Sequence, residues 1–334
     1  MRIATWAGDP DFVLEAERLG VHSVWSAEAW GTDALTPLAF LAGKTSTIKL
    51  GSGIVQLGAR TPANLAMAAL SLQSLSNGRF LLGVGTSGPQ VMEGLHGVRF
   101  TDVIARTRET IQIVKLAASG ERVRFDGSVY QLPLPDSSGR AIRLAAPPAD
   151  IPIYVASLGA KNLRLTGELA DGWLGTSFVP ETADIFFDEI RAGASSGGRS
   201  LDGFDFNVAA ALDITDDVDE AAKRHARGYA FTFGAMGSAK QNFYKNAFER
   251  QGWTEAAERV QRLWLDGKRD EAADAVPVEI ALKTNLIGTK DMIRDRLRVY
   301  RDAGVTTIRV GVGGSDRYAA LGLLMDLVAE VNAS

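Results

Sequence analysis

Three glycines stand in the spacing G-x-G-x-x-G at Gly83, Gly85 and Gly88. This spacing is typical of the turn that holds the pyrophosphate of a dinucleotide, provided that a strand precedes it, a helix follows directly and an acidic residue stands about 20 positions further on. The apolar residues before Gly85 are typical of a strand, but Pro89 follows the third glycine, and a polar, glycine-rich loop is predicted to run to about Thr101. The spacing alone therefore gives weak support to a nicotinamide site.

One carboxylate occupies a position where it could exchange a proton with a bound molecule. Glu28 follows the predicted strand HSVWS, beside Trp30, and Asp33 lies a little further along. A helix cap or a surface salt bridge is the alternative role for Glu28. The sequence shows no serine-histidine-aspartate set with a nucleophile elbow and no pair of carboxylates at matching strand ends. A site this poor in acids and bases predicts that an organic cofactor performs the reaction.

The stretch VASLGAKN, residues 155–162, has the composition of an anion site. A strand is followed by Ser157, by Gly159 and then by a helix, whose first amide groups and dipole attract a phosphate. Lys161 would add positive charge. The alternative is that Ser157 only caps the helix.

Composition restricts the chemistry further. The 334 residues include no cysteine, which excludes disulfides, thiolate catalysis and cysteine metal sites. His22, His96 and His225 are the three histidines; they stand far apart and outside metal-binding motifs, so no metal is expected. The net charge of −4, without basic runs, argues against a nucleic-acid partner.

The distribution of apolar residues argues against a membrane partner. No apolar stretch reaches the roughly 18 residues of a membrane span, and the N-terminal segment turns polar too early for a secretory signal. We therefore expect a cytoplasmic protein that acts on a small-molecule substrate.

Eight short apolar runs alternate with amphipathic helical stretches, and they must position these residues. The runs are RIATW, HSVWS, IKLGSGIV, RFLLGVG, IPIYVAS, GWLGTS, DFNVAAALDI and TTIRVGVGG. Eight strands, each followed by a helix, predict an α/β fold with an all-parallel sheet, which closes most economically as a (β/α)8 TIM barrel. An open doubly wound sheet is the alternative.

Two insertions interrupt the predicted alternation. One is a hairpin-like segment after the fourth strand and its helix, residues 121–148, and the other is a helical cap between strands seven and eight, about residues 228–283. We interpret residues 1–334 as a single barrel domain that carries both insertions. In this fold the glycine run becomes the loop after the fourth strand, at the carboxyl end of the barrel where active sites lie.

Four stretches resemble the luciferase-like monooxygenase superfamily, and within it the coenzyme F420-dependent oxidoreductases. The branch includes methylenetetrahydromethanopterin reductase and F420-dependent glucose-6-phosphate dehydrogenase. The stretches are SVWSAEAWGTDALTPLAFLA, IKLGSGIVQLGARTPANLAMAALSLQSLSNGRFLLGVGTSGPQVMEGLHG, IPIYVASLGAKNLRLTGELADGW and GAMGSAKQNFY. The resemblance covers nearly the whole chain, and it implies a barrel that binds a flavin or a 5-deazaflavin at its carboxyl end, usually as a dimer.

The resemblance also implies roles for individual residues. The segment behind the deazaflavin ring, the loop beside the ring and its ribityl chain, and the phosphate turn each have a counterpart here, and Trp6 at the end of strand one is expected to join them. These counterparts are Ser52, Gly53, Ile54 and Val55; Gly85, Thr86, Ser87, Gly88 and Gln90; and Ala156, Ser157, Leu158, Gly159 and Ala160. A cis peptide bond is expected between Gly53 and Ile54.

Two departures from the relatives bear on the chemistry. The position of Glu28, within SAEA, corresponds to a histidine of the sugar-phosphate dehydrogenase, so the proton chemistry and the substrate are left open. Bacterial luciferases carry an arginine after strand four that helps to hold the flavin phosphate, whereas the loop here reads TSGPQ. This favours F420 over FMN.

The leading prediction is an F420-dependent oxidoreductase that passes a hydride between the deazaflavin C5 and a small organic substrate, with Glu28 as catalytic residue. An FMN-dependent monooxygenase served by a separate reductase is one alternative, and a non-catalytic carrier of a deazaflavin or a lipid is another. A homodimer is expected through the helices after strands two and three, where PANLAMAALSLQSL is rich in alanine. An apolar substrate wall is predicted from cap residues Phe231, Phe233, Met236, Phe243 and Tyr244.

Overall fold

The computed structural model describes residues 1–236, 242–314 and 316–334. The strands are β1 (Arg2–Trp6), β2 (Ser23–Ser26), β3 (Lys49–Ser52), β4 (Val55–Gln56), β5 (Phe80–Gly85), β6 (Phe125–Asp126), β7 (Gln131–Leu132), β8 (Ile153–Ala156), β9 (Gly172–Gly175), β10 (Asp205–Ile214), β11 (Leu286–Gly288) and β12 (Thr307–Val312). The α-helices are α1 (Pro10–Arg18), α2 (Leu35–Ala42), α3 (Pro62–Leu75), α4 (Pro89–Met92), α5 (Val103–Ala118), α6 (Ala160–Leu169), α7 (Asp184–Ser196), α8 (Val218–Gly234), α9 (Phe243–Phe248), α10 (Thr254–Leu265), α11 (Arg269–Asp274), α12 (Val278–Thr284), α13 (Lys290–Asp302) and α14 (Arg317–Ala333). A 3-10 turn (Pro180–Thr182) and a π-helical turn (Glu249–Trp253) complete the set within the described ranges.

Eight parallel strands close into a barrel. In chain order they are β1, β2, β3, β5, β8, β9, β10 and β12, and each pairs with the next. The ring closes because β12 also pairs with β1, with Thr307 opposite Arg2. The predicted (β/α)8 barrel is confirmed, and the open doubly wound sheet was the wrong alternative.

The strands are buried on both faces, which explains their near-continuous apolar sequences. Side chains on the outer face, such as those of Ile3, Val24 and Leu82, pack in the main core that the surrounding helices share. The inner face forms a separate cluster in the barrel interior, which consists of Ala4, Trp25, Leu81, Tyr154 and Leu174. We call this second set the interior cluster.

The first insertion folds as the predicted hairpin. Strands β6 and β7 pair antiparallel, and Glu109 of α5 holds the turn between them by accepting hydrogen bonds from the amides of Ser128, Val129 and Tyr130. Burial alone would raise the pKa of Glu109, but the hydrogen bonds from Ser128, Tyr130 and Val129 outweigh it and lower that pKa. The carboxylate of Glu109 therefore ties the hairpin turn to α5, and Arg106 of the same helix adds a contact with the Tyr130 hydroxyl.

The second insertion is helical and has an apolar core of its own. Helices α8 to α12 span residues 218–284, with buried Phe233, Phe248 and Val260 in a shared cluster. Phe233 is fully buried there, against Phe248, so its assignment to the apolar substrate wall was wrong. Residues 237–241 of the stretch GAMGSAKQNFY lie outside the described part of the chain.

Strand β11 ends this insertion and pairs with the upper half of β10. β10 is ten residues long, so its lower half pairs with β9 and the end of its upper half pairs with β11, while residues 207–212 pair with β12 on the other side. Within residues 1–236, 242–314 and 316–334, no helix is both long and apolar enough to cross a lipid bilayer.

Candidate active site

Predicted residues from three different strands meet at the carboxyl end of the barrel. Trp6 ends β1, Ile54 follows β3, and Ala156 ends β8. All three are partly buried and pack on the interior cluster. The structure thus brings these residues together on one apolar floor at the mouth of the barrel.

A break between β3 and β4 shapes one side of this mouth. β3 pairs with β5 up to Gly51, β4 resumes the pairing at Val55, and the residues between them leave the ladder. The predicted cis peptide bond between Gly53 and Ile54 is confirmed. Gly53 and Ile54 remain partly exposed, whereas Val55 is buried.

Ser52 and Gly83 explain how the ladder tolerates this break. The Ser52 hydroxyl lies 2.9 Å from both the amide nitrogen and the carbonyl oxygen of Gly83, and it replaces the missing backbone pairing. A Cβ atom on Gly83 would lie 1.8 Å from the Ser52 carbonyl oxygen, so only glycine fits. The first glycine of the run therefore has a structural role, and the Ser52 side chain is turned away from the mouth.

The loop after β5 continues the rim. A Cβ atom on Gly85 would lie 3.0 Å from Cγ1 of Ile54, so the absent side chain lets the two segments approach. Ser87 has a left-handed φ of +56°, which is uncommon outside glycine. The prediction of an uninterrupted loop to Thr101 was wrong, because α4 begins directly at Pro89, whose ring suits the first position of a helix.

The predicted phosphate turn leads into α6. The Ser157 hydroxyl is buried and lies 2.8 Å from the Thr166 hydroxyl, and Gly159 occupies the cap position without a side-chain hydrogen bond. The alternative of a Ser157 helix cap was therefore wrong. The first amides of a helix lack partners within that helix, so this turn presents main-chain donors beside exposed Lys161.

Arg250 joins this turn from the cap and was not identified from the sequence. Its Nη2 donates to the Leu158 carbonyl oxygen at 2.5 Å, and its guanidinium lies 5.4 Å from the centre of the Phe186 ring. The contact spans 92 positions in the chain, so no local pattern could have indicated it. Arg250 adds a fixed positive charge at the N-terminus of α6.

Glu28 follows the end of β2, and its carboxylate is held by Arg60. Both carboxylate oxygens lie within 2.7 Å of Nη1 of Arg60, and the amides of Ala34 and Gln56 lie 3.3 Å from them. Gln56 also donates to the Glu28 carbonyl oxygen at 3.0 Å and contacts His96 at 2.7 Å. Glu28 thus joins β2, β4 and the segment after β5 at the mouth.

A second carboxylate stands at the carboxyl end of a barrel strand and was missed. Asp213, near the end of β10, contacts Arg224 at 2.5 Å and His225 at 2.9 Å, both from α8. Burial alone would raise the pKa of Asp213, but the hydrogen bonds from His225 and Arg224 lower it. The position of Asp213 at a strand end was the signal that could have identified it.

The predicted site residues differ in how far solvent reaches them. Those buried are Ser52, Val55, Gly85 and Ser157; those partly exposed are Trp6, Glu28, Gly53, Ile54, Thr86, Ser87, Gly88, Ala156, Leu158, Gly159 and Ala160; and Gln90 is exposed. Among the residues that the structure describes, no group of three or more His, Asp or Glu is arranged to hold a metal ion. The mouth therefore offers apolar surface, main-chain groups and few acids.

Comparison with known proteins gives a consistent result. The sequence profile described as luciferase-like monooxygenase matches residues 4–307. The chain is 37% identical to a Mycobacterium tuberculosis protein named as a coenzyme F420-dependent oxidoreductase, over 97% of this chain and 98% of the relative. It is 28% identical to the 5,10-methylenetetrahydromethanopterin reductase of Archaeoglobus fulgidus, over 90% of this chain and 88% of that one.

The fold also matches a solved structure. The coenzyme F420 dependent tetrahydromethanopterin reductase of Methanopyrus kandleri superposes with a TM-score of 0.82 over 98% of each chain, at 24% sequence identity. At that identity the likeness concerns the fold alone.

Proposed function

Since the chain belongs to the luciferase-like monooxygenase family, we propose that it is an oxidoreductase that binds coenzyme F420 and passes a hydride between the deazaflavin C5 and a small organic substrate. The main support is an apolar, glycine-lined mouth at the carboxyl ends of the strands, next to a helix N-terminus suited to a phosphate. The 37% identity with a relative named for F420 supports the choice of cofactor.

The residues around the mouth fit a flat aromatic ring. The border of the site consists of the main chain of Gly53 and Gly85 and the branched side chain of Ile54. The apolar surface continues over Trp6 and Ala156. Such a surface binds a ring through burial and dispersion. When bound, the deazaflavin supplies the hydride donor or acceptor, while these residues orient it and exclude water.

The turn at the start of α6 fits the phosphate of the cofactor. The main-chain amides of Gly159 and Ala160, with the helix dipole behind them, favour an anion. Arg250, already bound to the Leu158 carbonyl, adds charge at the same place. This end of the site suits the phosphate of F420 or of FMN, so it would position either cofactor. Any selection between the two cofactors would depend on contacts with the ring at the mouth.

We propose that Glu28 exchanges the proton that accompanies hydride transfer. It is the acidic side chain at the end of β2, and 8% of that side chain is exposed. Arg60 orients Glu28 as a carboxylate, the form that can accept a proton during substrate oxidation. Proton uptake would weaken this ion pair, so it has to displace Arg60 from the carboxylate. In the reverse direction the same pair would re-form as the proton leaves Glu28.

We propose further that the protein forms a homodimer through α2 and α3. Phe40 on α2 and Met67 and Leu75 on α3 are exposed apolar side chains. Exposed apolar surface of this kind is typical of protein interfaces. The cytoplasmic location stays a prediction.

The function is tested by titrating the purified protein with oxidised F420 and, separately, with FMN while recording absorption difference spectra. We expect a saturable spectral change with F420 at micromolar concentration and a much weaker response with FMN. A response confined to FMN would support the monooxygenase alternative instead. Tight F420 binding with no hydride transfer to a broad panel of alcohols, aldehydes and activated alkenes would support a carrier.

A further inference from the structure

A buried arginine lies inside the barrel, beneath the mouth. Arg309 is on the inner face of β12, opposite Ala4 of β1, and only 4% of the residue is exposed. Burial lowers the pKa of Arg309 to about 10, so the guanidinium remains positively charged at neutral pH. None of the roles assigned above requires this charge.

Trp6 separates this guanidinium from the mouth. The guanidinium carbon of Arg309 lies 4.9 Å from the centre of the Trp6 ring and 5.7 Å from that of Trp25. Trp6 itself reaches across the barrel, because Cβ atoms built on Gly311 and Gly53 would lie 3.9 and 3.7 Å from its two ends. The Trp6 indole thus lies between Arg309 and the predicted site of the deazaflavin ring.

The positive charge of Arg309 has no bonded carboxylate among the described residues. Its Nη1 donates to Oδ1 of Asn207 at 2.6 Å, whereas its Nε and the Nδ2 of Asn207 are buried donors without acceptors. Two unused donors and an unpaired cation in one interior make the local potential positive, because a low dielectric screens charge weakly.

The other charged and titratable groups inside the barrel form no ion pair with Arg309, although the charge of Asp205 partly offsets the effect of burial on the pKa of Arg309. Asp205 lies lower on β10 and is paired with Arg2 at 2.8 Å, and it also accepts hydrogen bonds from Thr306, Thr307 and Tyr154. Burial and the neighbouring Asp205 raise the pKa of Tyr154, which is therefore neutral. At the rim, Glu28 is paired with Arg60.

We propose that Arg309 is a positioning residue that acts electrostatically through Trp6 and favours the anionic form of the bound deazaflavin. This inference rests on the proposed binding of F420 at the mouth. The ring hydroxyl of oxidised F420 loses its proton with a change in visible absorption. The ionisation of the bound cofactor can therefore be measured directly, without any turnover.

The test is a pH titration of the absorption of F420 bound to the wild type and to four variants. Arg309→Met removes the charge, and Arg309→Lys retains it without the planar stack. Asn207→Asp places a carboxylate against the guanidinium and neutralises the arginine in place, while Asn207→Ala is its uncharged control. We expect the acid dissociation constant of the bound hydroxyl to fall about tenfold in Arg309→Met and Asn207→Asp, the effect of a unit charge roughly 10 Å away at an effective dielectric constant of about 20.

The four variants separate charge from packing. In Arg309→Lys and Asn207→Ala, the acid dissociation constant of the bound hydroxyl should stay within about threefold of the wild-type value. If Arg309→Met does not fold, Asn207→Asp still tests the effect of the charge, because this variant keeps the arginine side chain. If F420 binds to both the wild type and Asn207→Asp and the acid dissociation constant of its hydroxyl is equal in the two, this inference is wrong and the proposed function is unaffected. Failure of the wild type to bind F420 would contradict the proposed function and this inference together.

Discussion

Both carboxylate oxygens of Glu28 lie within 2.7 Å of a single nitrogen, Nη1 of Arg60. The ion pair is largely buried, with 8% of the glutamate side chain and 21% of the arginine side chain exposed. It connects the end of β2 with the segment after β4. Any proton that Glu28 takes up must compete with this guanidinium, so the two residues have to be tested together.

Glu28→Gln should lower the turnover number by about 10² or more while changing the F420 dissociation constant less than about threefold, because general acid-base help is typically worth that much in rate. Steady-state kinetics with a substrate found in the panel, together with F420 titration, measure both quantities.

Arg60→Met is the matched control for Glu28→Gln. It breaks the same ion pair but keeps the carboxylate, so it should lower the melting temperature and leave more turnover than Glu28→Gln does. If Glu28→Gln binds F420 and turns over at the wild-type rate, Glu28 has only a structural role.

Arg250→Met should weaken F420 binding about tenfold, because the variant removes a charge that stands beside the first turn of α6. Ser157→Ala is the control in the same turn, and it should stay within about twofold of the wild type because its hydroxyl faces Thr166. Absorption titrations of both variants test this. A larger loss in Ser157→Ala than in Arg250→Met would contradict the phosphate site as drawn.

Met67→Glu should convert the protein from dimer to monomer, because a charge on the exposed face of α3 cannot be buried cheaply in an interface. Sedimentation velocity at micromolar concentration measures this. Leu14→Glu, on the exposed part of α1, should leave the dimer intact. A wild type that sediments only as a monomer would rule out the interface.

His22 should make the protein less stable in acid. Burial, and next Arg2, lower the pKa of His22 to about 4, from 6.5 in the unfolded chain. Between these two values the unfolded state binds a proton that the folded state does not, so stability falls as the pH drops from 6.5 towards 4. His22 is partly exposed, which reduces its share of this loss to about 1 kcal/mol.

Urea unfolding of the wild type and His22→Gln at pH 7.5, 6.5 and 4.5 tests this contribution. The variant should lose less stability than the wild type between pH 6.5 and 4.5, and the two should respond alike between pH 7.5 and 6.5. An identical acid loss in both proteins would assign it to other groups.

Glu109→Gln should lower the free energy of unfolding by about 1–3 kcal/mol, because a neutral amide cannot accept all the hydrogen bonds that the carboxylate receives from the hairpin. Thermal and urea unfolding measure the change. Glu121→Gln alters an exposed glutamate near the same hairpin and should change stability by less than about 0.5 kcal/mol. Equal effects of the two substitutions would remove the anchoring role of Glu109.

The sequence predicted the barrel well because its signals are local. Strands buried on both faces produce apolar runs, and helix α3 begins at Pro62 as predicted, since Thr61 caps it and proline suits the first turn. The position of the mouth followed from the order of these elements.

The contacts between distant segments could not be predicted. Arg60 contacts Glu28 across 32 positions of the chain. In the sequence, Arg309 is a single charged residue within an apolar strand, and only closure of the barrel places it under Trp6. A helix cap was the alternative role for Ser157, because its actual partner, Thr166 further along α6, could not be identified from the sequence. Such pairings depend on three-dimensional closure, which composition and periodicity do not encode.

The pairing of Ile214 with Gly288 has a consequence for how this enzyme could diversify. The chain leaves the barrel wall at the end of β10 and re-enters beside it at β11, so the intervening helices start and finish at one place. A segment with adjacent ends can be lengthened, shortened or exchanged as a cassette without shifting the strands it departs from. A graft between these ends would keep the apolar floor of Trp6, Ile54 and Ala156, and it would replace Arg250 together with the helices.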